Sequence, residues 1–306
     1  VSFKYMNPGF AEWLNTNAGT TVNSYEYNRY GGVSFWNKQN KADVELPEAP
    51  GKHLYIKASF WISDQGGDRG YFEISSANKD GSGGTGFGGR RGYGKDWDIY
   101  WYGDGSPNTL SKVSCIRYGK MNDILIHITT DTTGAAKMTL TLNGTVIYDN
   151  LNWDIGLHGY VKLRSEVSDL LLSNIIISDQ PIDIKERVVP LAIKTTETDL
   201  PVDDDGNYIT SEPDKIVIYT LDTSDVIERL GDDFQITGMG FACVPGYSTG
   251  DAVTKITGFR RDQQGENELG SVSLSSEKNG KAVLGTAIDM SLADLQTSQF
   301  GIKTGA

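Results

Sequence analysis

Residues 122–150, NDILIHITTDTTGAAKMTLTLNGTVIYDN, constrain the fold more than any other part of the chain. Ile124, Ile126 and Ile128 alternate with Leu125, His127 and Thr129, and Met138, Leu140 and Leu142 alternate with Thr139 and Thr141. A period of two places one set of side chains on each side of a strand. Asn143-Gly144 follows, a pair that tolerates the positive φ of a type I′ turn. The segment reads as three consecutive antiparallel strands with one apolar face.

The same pattern recurs over residues 33–36, 42–46, 54–63, 71–76, 98–102, 113–118, 160–164 and 170–178, with turn residues between. Many short strands at close spacing indicate a sandwich or jelly roll rather than βα units. Only residues 10–15 and 225–230 suggest short helices. In residues 179–190, DQPIDIKERVVP, two prolines and a run of charges interrupt the strand pattern. Beyond it Thr, Asp and Ser replace the aromatics, and strands are expected over 189–195, 215–221, 234–243, 253–261, 269–275 and 281–290. The reading is all-β: a jelly-roll β-sandwich over residues 1–183 and a smaller β-sandwich-like domain over 184–306, the latter serving docking or oligomerisation.

With 306 residues the chain can build two cores. A net charge of −12 argues against nucleic-acid binding, which needs Lys and Arg to displace counterions. No apolar run approaches the roughly 20 residues of a membrane span, and VSFKYMNPGF lacks a signal-peptide pattern. Cys115 and Cys243 are read as buried free thiols. His53, His127 and His158 show no metal-ligand spacing.

Residues 123–128 (DILIHI), a short turn and then 138–147 (MTLTLNGTVI) form a hairpin pattern with an Asn-Gly turn; residues 171–179 (LLSNIIISD) form a further strand pattern. With residues 32–36 and 54–62 as early strands, they resemble the concanavalin A-like lectin/glucanase superfamily, its laminin-G-like branch in particular, over residues 1–183. That resemblance implies a sandwich closed by residues 171–179. The superfamily includes lectins, glycosidases, adhesion modules and phage structural proteins. A sandwich followed by a small acidic β domain also resembles phage tail, fibre or capsid-decoration proteins. Shared fold does not settle activity.

The chemistry-bearing segment is 96–102, DWDIYWY. Alternation sends Trp97, Ile99 and Trp101 one way and Asp96, Asp98, Tyr100 and Tyr102 the other. In residues 71–75, Phe72 and Ile74 oppose Tyr71 and Glu73. If these strands line a concave sheet, carboxylates and phenol rings share one open surface. Sugars are held that way: a ring face covers C–H groups and carboxylates accept from hydroxyls. His127, on the face opposite its isoleucines, is a further candidate ligand. Glycoside hydrolysis needs two carboxyl groups about 5–9.5 Å apart. The Glu-x-Asp-x-(x)-Glu run of the superfamily's glucanases is absent, so no catalytic residue is assigned; Glu73 and Asp98 are the pair to test.

Residues 81–94 hold eight glycines in fourteen. The G-x-G-x-x-G match at Gly84, Gly86 and Gly89 follows from that composition and lacks a strand–helix context for nucleotide. The stretch reads as a long surface loop from which Arg90 and Arg91 contact a partner. Asp203, Asp205 and Glu212 sit as in half of a calcium loop, but Pro201 occupies the first ligand position, and a tight Asp-Gly turn accounts for the same residues. No cofactor is assigned; calcium is the one ion these residues could hold. The expectation is a non-enzymatic adhesion or structural protein of a virion or extracellular surface. Its expected partners are a surface glycan or other surface proteins, with self-association into a homo-oligomer. A polysaccharide-active hydrolase or lyase, or a purely architectural subunit, is the alternative.

Overall fold

The computed structural model describes residues 3–9, 20–22, 32–34, 40–46, 51–62, 70–78, 84–91, 97–103, 106–109, 115–130, 136–153, 159–165, 170–278 and 280–306. They form two compact units, one of Met6–Val188 and one of Val1–Tyr5 with Val189–Ala306. Both are built from antiparallel sheets. None of the helices among the described residues is long and apolar enough to cross a membrane.

In chain order the strands up to the break are β1 (Lys4–Asn7), β2 (Thr20–Val22), β3 (Gly32–Ser34), β4 (Asn40–Glu45), β5 (His53–Ile62), β6 (Gly70–Ala77) and β7 (Thr85–Arg91). They continue with β8 (Trp97–Gly103), β9 (Ser106–Thr109), β10 (Met121–Thr130), β11 (Ala136–Leu142), β12 (Thr145–Trp153), β13 (Tyr160–Ser165) and β14 (Leu170–Ser178). One sheet has the order β12-β11-β10-β5-β14-β3-β2, with β1 also pairing β14; the other has the order β4-β13-β6-β7-β8-β9. Consecutive strands repeatedly change sheet, which gives a jelly-roll β-sandwich.

The isoleucines of β10 are the reason the sheets stack. Ile124, Ile126 and Ile128 are fully buried, as are Leu54, Ile56, Ala58, Phe60 and Ile62 of β5 and Met138, Leu140 and Leu142 of β11. Across the layer, Phe60 of the first sheet meets Phe72 and Phe87 of the second, each ring pair 5.7 Å apart. The expected turn at Asn143-Gly144 is present, with φ of 50° and 83°.

The structure corrects two local expectations. Residues 81–94 do not form one long loop: Thr85–Arg91 is a strand in the middle of the six-stranded sheet, between β6 and β8. Phe87 anchors it in the core, and the glycines on its other face leave room for β6 side chains. A Cβ on Gly84 would stand 3.0 Å from Glu73 Oε1, and one on Gly86 would stand 2.1 Å from the Ile74 carbonyl oxygen. The described part of 113–118 is turn rather than strand. Asn122 closes it, its side chain accepting from Arg117 N and donating to the Arg117 and Lys120 carbonyls. The helix expected over 10–15 lies outside the described residues.

The second unit holds β15 (Ala192–Thr198), β16 (Ile216–Asp222), α1 (Ser224–Leu230), β17 (Ile236–Cys243), β18 (Lys255–Asp262), β19 (Gly265–Ser273), β20 (Ala282–Met290), α2 (Leu292–Thr297) and β21 (Gln299–Gly305). A five-stranded sheet, β15-β16-β21-β18-β19, faces the β17–β20 pair across Leu269, Met290, Leu295 and Phe300. The chain's first residues join this unit: Phe3 bridges to Thr286, and Lys4 Nζ donates to Thr237 O and Oγ1. Cys115 and Cys243 are free and half-buried, and burial pushes the Cys243 thiol up to about 11. Helix α2 starts with a reciprocal cap, Ser291 Oγ accepting from Asp294 N while the Asp294 carboxylate accepts from Ser291 N. Ser291→Ala is expected to cost about 1 kcal/mol in the unfolding free energy of this unit, read from urea denaturation.

Candidate functional site

The outer face of the six-stranded sheet is defined by register. Tyr71, Glu73 and Ser75 of β6 lie opposite Arg90, Gly88 and Gly86 of β7. Those three lie opposite Asp98, Tyr100 and Tyr102 of β8. On the other side of β6, Lys162 and Arg164 of β13 lie opposite Ser75 and Glu73. Glu73, Arg90, Asp98 and Tyr100 therefore share one face of three adjacent strands, with Tyr71 and Tyr102 at matching register positions.

The centre of this face is closed, which corrects the expectation of an open surface. Glu73 is 3% exposed and Tyr100 2%. The Glu73 carboxylate takes a 2.9 Å ion pair from Lys162 Nζ and a 2.5 Å hydrogen bond from Ser75 Oγ. A buried carboxylate needs this counter-charge. Nothing in the sequence marks the pair, because β13 and β6 meet only through the sheet order.

Towards one end of the face the chemistry reaches solvent. Arg90 and Asp98 are exposed cross-strand partners. The Arg90 guanidinium sits 4.9 Å over the Tyr100 ring, and Tyr100 Oη donates to Asp98 Oδ2 at 3.4 Å. Burial first, and the Asp98 charge second, hold the Tyr100 phenol above its ordinary value. A guanidinium and a carboxylate side by side offer several donors and two acceptor oxygens, the complement of a diol.

The remaining candidates do not join this cluster. Arg91 takes the alternate register, opposite Trp97 and Gly70. Asp96 lies outside the described residues. His127 belongs to the other sheet, where it pairs with Tyr55 and Thr139 on that sheet's own outer face. The test pair Glu73 and Asp98 is separated by one intervening strand and two residues of register, about 12 Å between Cα atoms at ordinary strand spacing. Asp203 is consumed by its own turn, accepting from Asn207 N at 2.8 Å, Asn207 Nδ2 at 3.2 Å and Asp205 N at 3.0 Å, and the Asn207 bonds above all hold its carboxyl below the usual range. Glu212 pairs with Lys215 at 3.0 Å instead of joining Asp203 and Asp205. Among the described residues no group of three or more His, Cys, Asp or Glu could hold a metal ion.

No family model matches the chain, and no curated protein matches it. Solved structures with similar architecture include sheep galectin-11 in complex with glycerol, 11% identical, covering 46% of this chain and 97% of that one, with a TM-score of 0.32. The alginate lyase Aly36B is 10% identical, covering 58% of this chain and 97% of that one, at a TM-score of 0.36. The CBM2 module of the evolved Dit of Lactobacillus casei BL23 phage J-1 is 10% identical, covering 60% of this chain and 98% of that one, at 0.39. At these scores they bear on neither ligand nor activity.

Proposed function

We propose that this chain is a non-enzymatic adhesion or structural protein of a virion or cell surface, and that it binds glycans at the exposed end of the β6–β8 face. The observation that carries this reading is the Arg90–Tyr100–Asp98 cluster. It sets a donor–acceptor pair beside an aromatic ring, on a sheet whose inner face buries Phe72, Ile74, Phe87 and Ile99. The engaged, buried state of Glu73 favours binding over hydrolysis, because a carboxylate held by Lys162 and Ser75 is a poor general acid or nucleophile. The smaller unit then provides docking or self-association.

The test is binding to a panel of bacterial and plant polysaccharides, with and without calcium. The informative variants are Arg90→Ala and Asp98→Asn, since both residues are exposed. Each is expected to weaken binding about tenfold or more, equivalent to about 1.4 kcal/mol. Glu73→Gln and Tyr100→Ala are unsuitable controls, because both alter buried groups. Unchanged binding in both exposed variants rules out this site. Release of reducing ends or unsaturated products would instead identify a hydrolase or lyase. No binding to any glycan, together with a stable oligomer, would leave an architectural role.

A further inference from the structure

Two histidines 74 positions apart in sequence meet on the outer face of the larger sheet. His53 opens β5 and His127 lies within β10. The strands run antiparallel with Tyr55 opposite His127 and His53 opposite Thr129, so His53 is the diagonal neighbour of His127. His53 Nδ1 stands 3.3 Å from His127 Nε2. The ring centroids are 5.5 Å apart and the planes are inclined by 22°. Tyr55 lies flat against His127, 4.0 Å between centroids and 8° between planes, which fixes that imidazole's orientation.

This geometry matches a shared metal ion. With zinc–nitrogen bonds of 2.0–2.1 Å at a tetrahedral angle, two coordinating nitrogens stand about 3.3–3.4 Å apart. The two nitrogens, on adjacent strands, thus already stand at the separation that one shared ion requires. Beside the pair, Thr139 lies opposite His127, and its hydroxyl donates to Asp149 Oδ1 at 3.0 Å. His53 is exposed, so further ligand positions open to solvent.

We propose that His53 and His127 form a two-imidazole site for a divalent transition-metal ion of the zinc class, with the remaining positions filled by water or by a ligand from outside the chain. The site lies in the other sheet from the Arg90–Asp98 cluster and does not depend on the glycan reading.

The test is calorimetric titration of zinc chloride into the chelator-treated full chain near neutral pH. The expected result is one saturable equivalent. Binding should weaken about tenfold or more in His53→Asn and in His127→Asn and stay unchanged in His158→Asn. Zinc should also raise the melting temperature of the wild type but not of His53→Asn, a change at an exposed position that leaves the core untouched. Absence of saturable binding, or equal affinity in the wild type and His53→Asn, overturns the proposal. The 3.3 Å contact is then a shared-proton hydrogen bond and nothing more.

Discussion

Asp123→Ala is expected to destabilise the larger unit by about 3 kcal/mol, because it strands a buried charge. Lys57 is fully buried on the outer face of β5. Its ammonium lies 3.5 Å from Asp123 Oδ1 and donates to Ser59 Oγ at 3.3 Å. Ser59 Oγ in turn donates to Asp123 Oδ1 at 2.5 Å, and Arg187 Nη2 donates to Asp123 Oδ2 at 2.9 Å. One carboxylate thus answers two cations. The figure sits at the low end for a broken buried pair because Asp123 keeps 24% exposure. Urea denaturation of Asp123→Ala measures it. Adding Lys57→Met should recover much of the loss, since the charge that needed compensation is gone.

The same cluster has a pH signature. Burial lowers the Lys57 pKa from 10.5 to about 8, with Asp123 acting against that shift. Between these two values the unfolded chain binds more protons than the folded one, so stability rises with pH through that window. The rise amounts to about 3 kcal/mol at most, and it should vanish in Lys57→Met. A flat profile in the wild type would show that water reaches the ammonium.

Gly86→Ala is expected to cost about 3 kcal/mol or more, or to abolish folding of the larger unit. The added Cβ would stand 2.1 Å from the Ile74 carbonyl oxygen, 2.6 Å from Ser75 Cα and 2.8 Å from Ser75 Cβ. These are atoms of the neighbouring strand, so relief requires β7 to move away from β6 and to break the ladder between them. Gly51 supplies the control: nothing lies within 4 Å of its Cβ position, and Gly51→Ala should be silent. Thermal melts of the two variants compare them directly. Equal stability would mean that the β6–β7 approach is looser than these distances require.

Alternation in the sequence was enough to identify β5, β8, β10, β11 and β13, because a half-buried strand must separate its apolar and polar residues; β14, LLLSNIIIS, was legible as a nearly continuous apolar run instead. The short helix at Ser224–Leu230 was also legible. Strand β7 was not, because its glycines imitate a loop; the fit of Glu73 and Ser75 against those glycines is a property of the paired strands. Strand β21 was missed as well, since QFGIKTG offers only two large apolar residues, Phe300 and Ile302, and is held by neighbours on both sides. Of the site, the common face of Asp98, Tyr100 and Tyr102 follows from period-two spacing alone.

What the sequence by itself determined, then, is which residues lie on the two sides of the strands whose alternation it shows, and hence an all-β chain with a packed sandwich. Only the tertiary structure decided which strands became neighbours. That choice buried Glu73 against Lys162, gave Lys57 its partner in Asp123, assigned His127 to a different sheet from Tyr100, and brought it to His53. The physical reason is that side-chain direction is a local property of the backbone, whereas strand order and register are fixed by burying all the apolar faces at once.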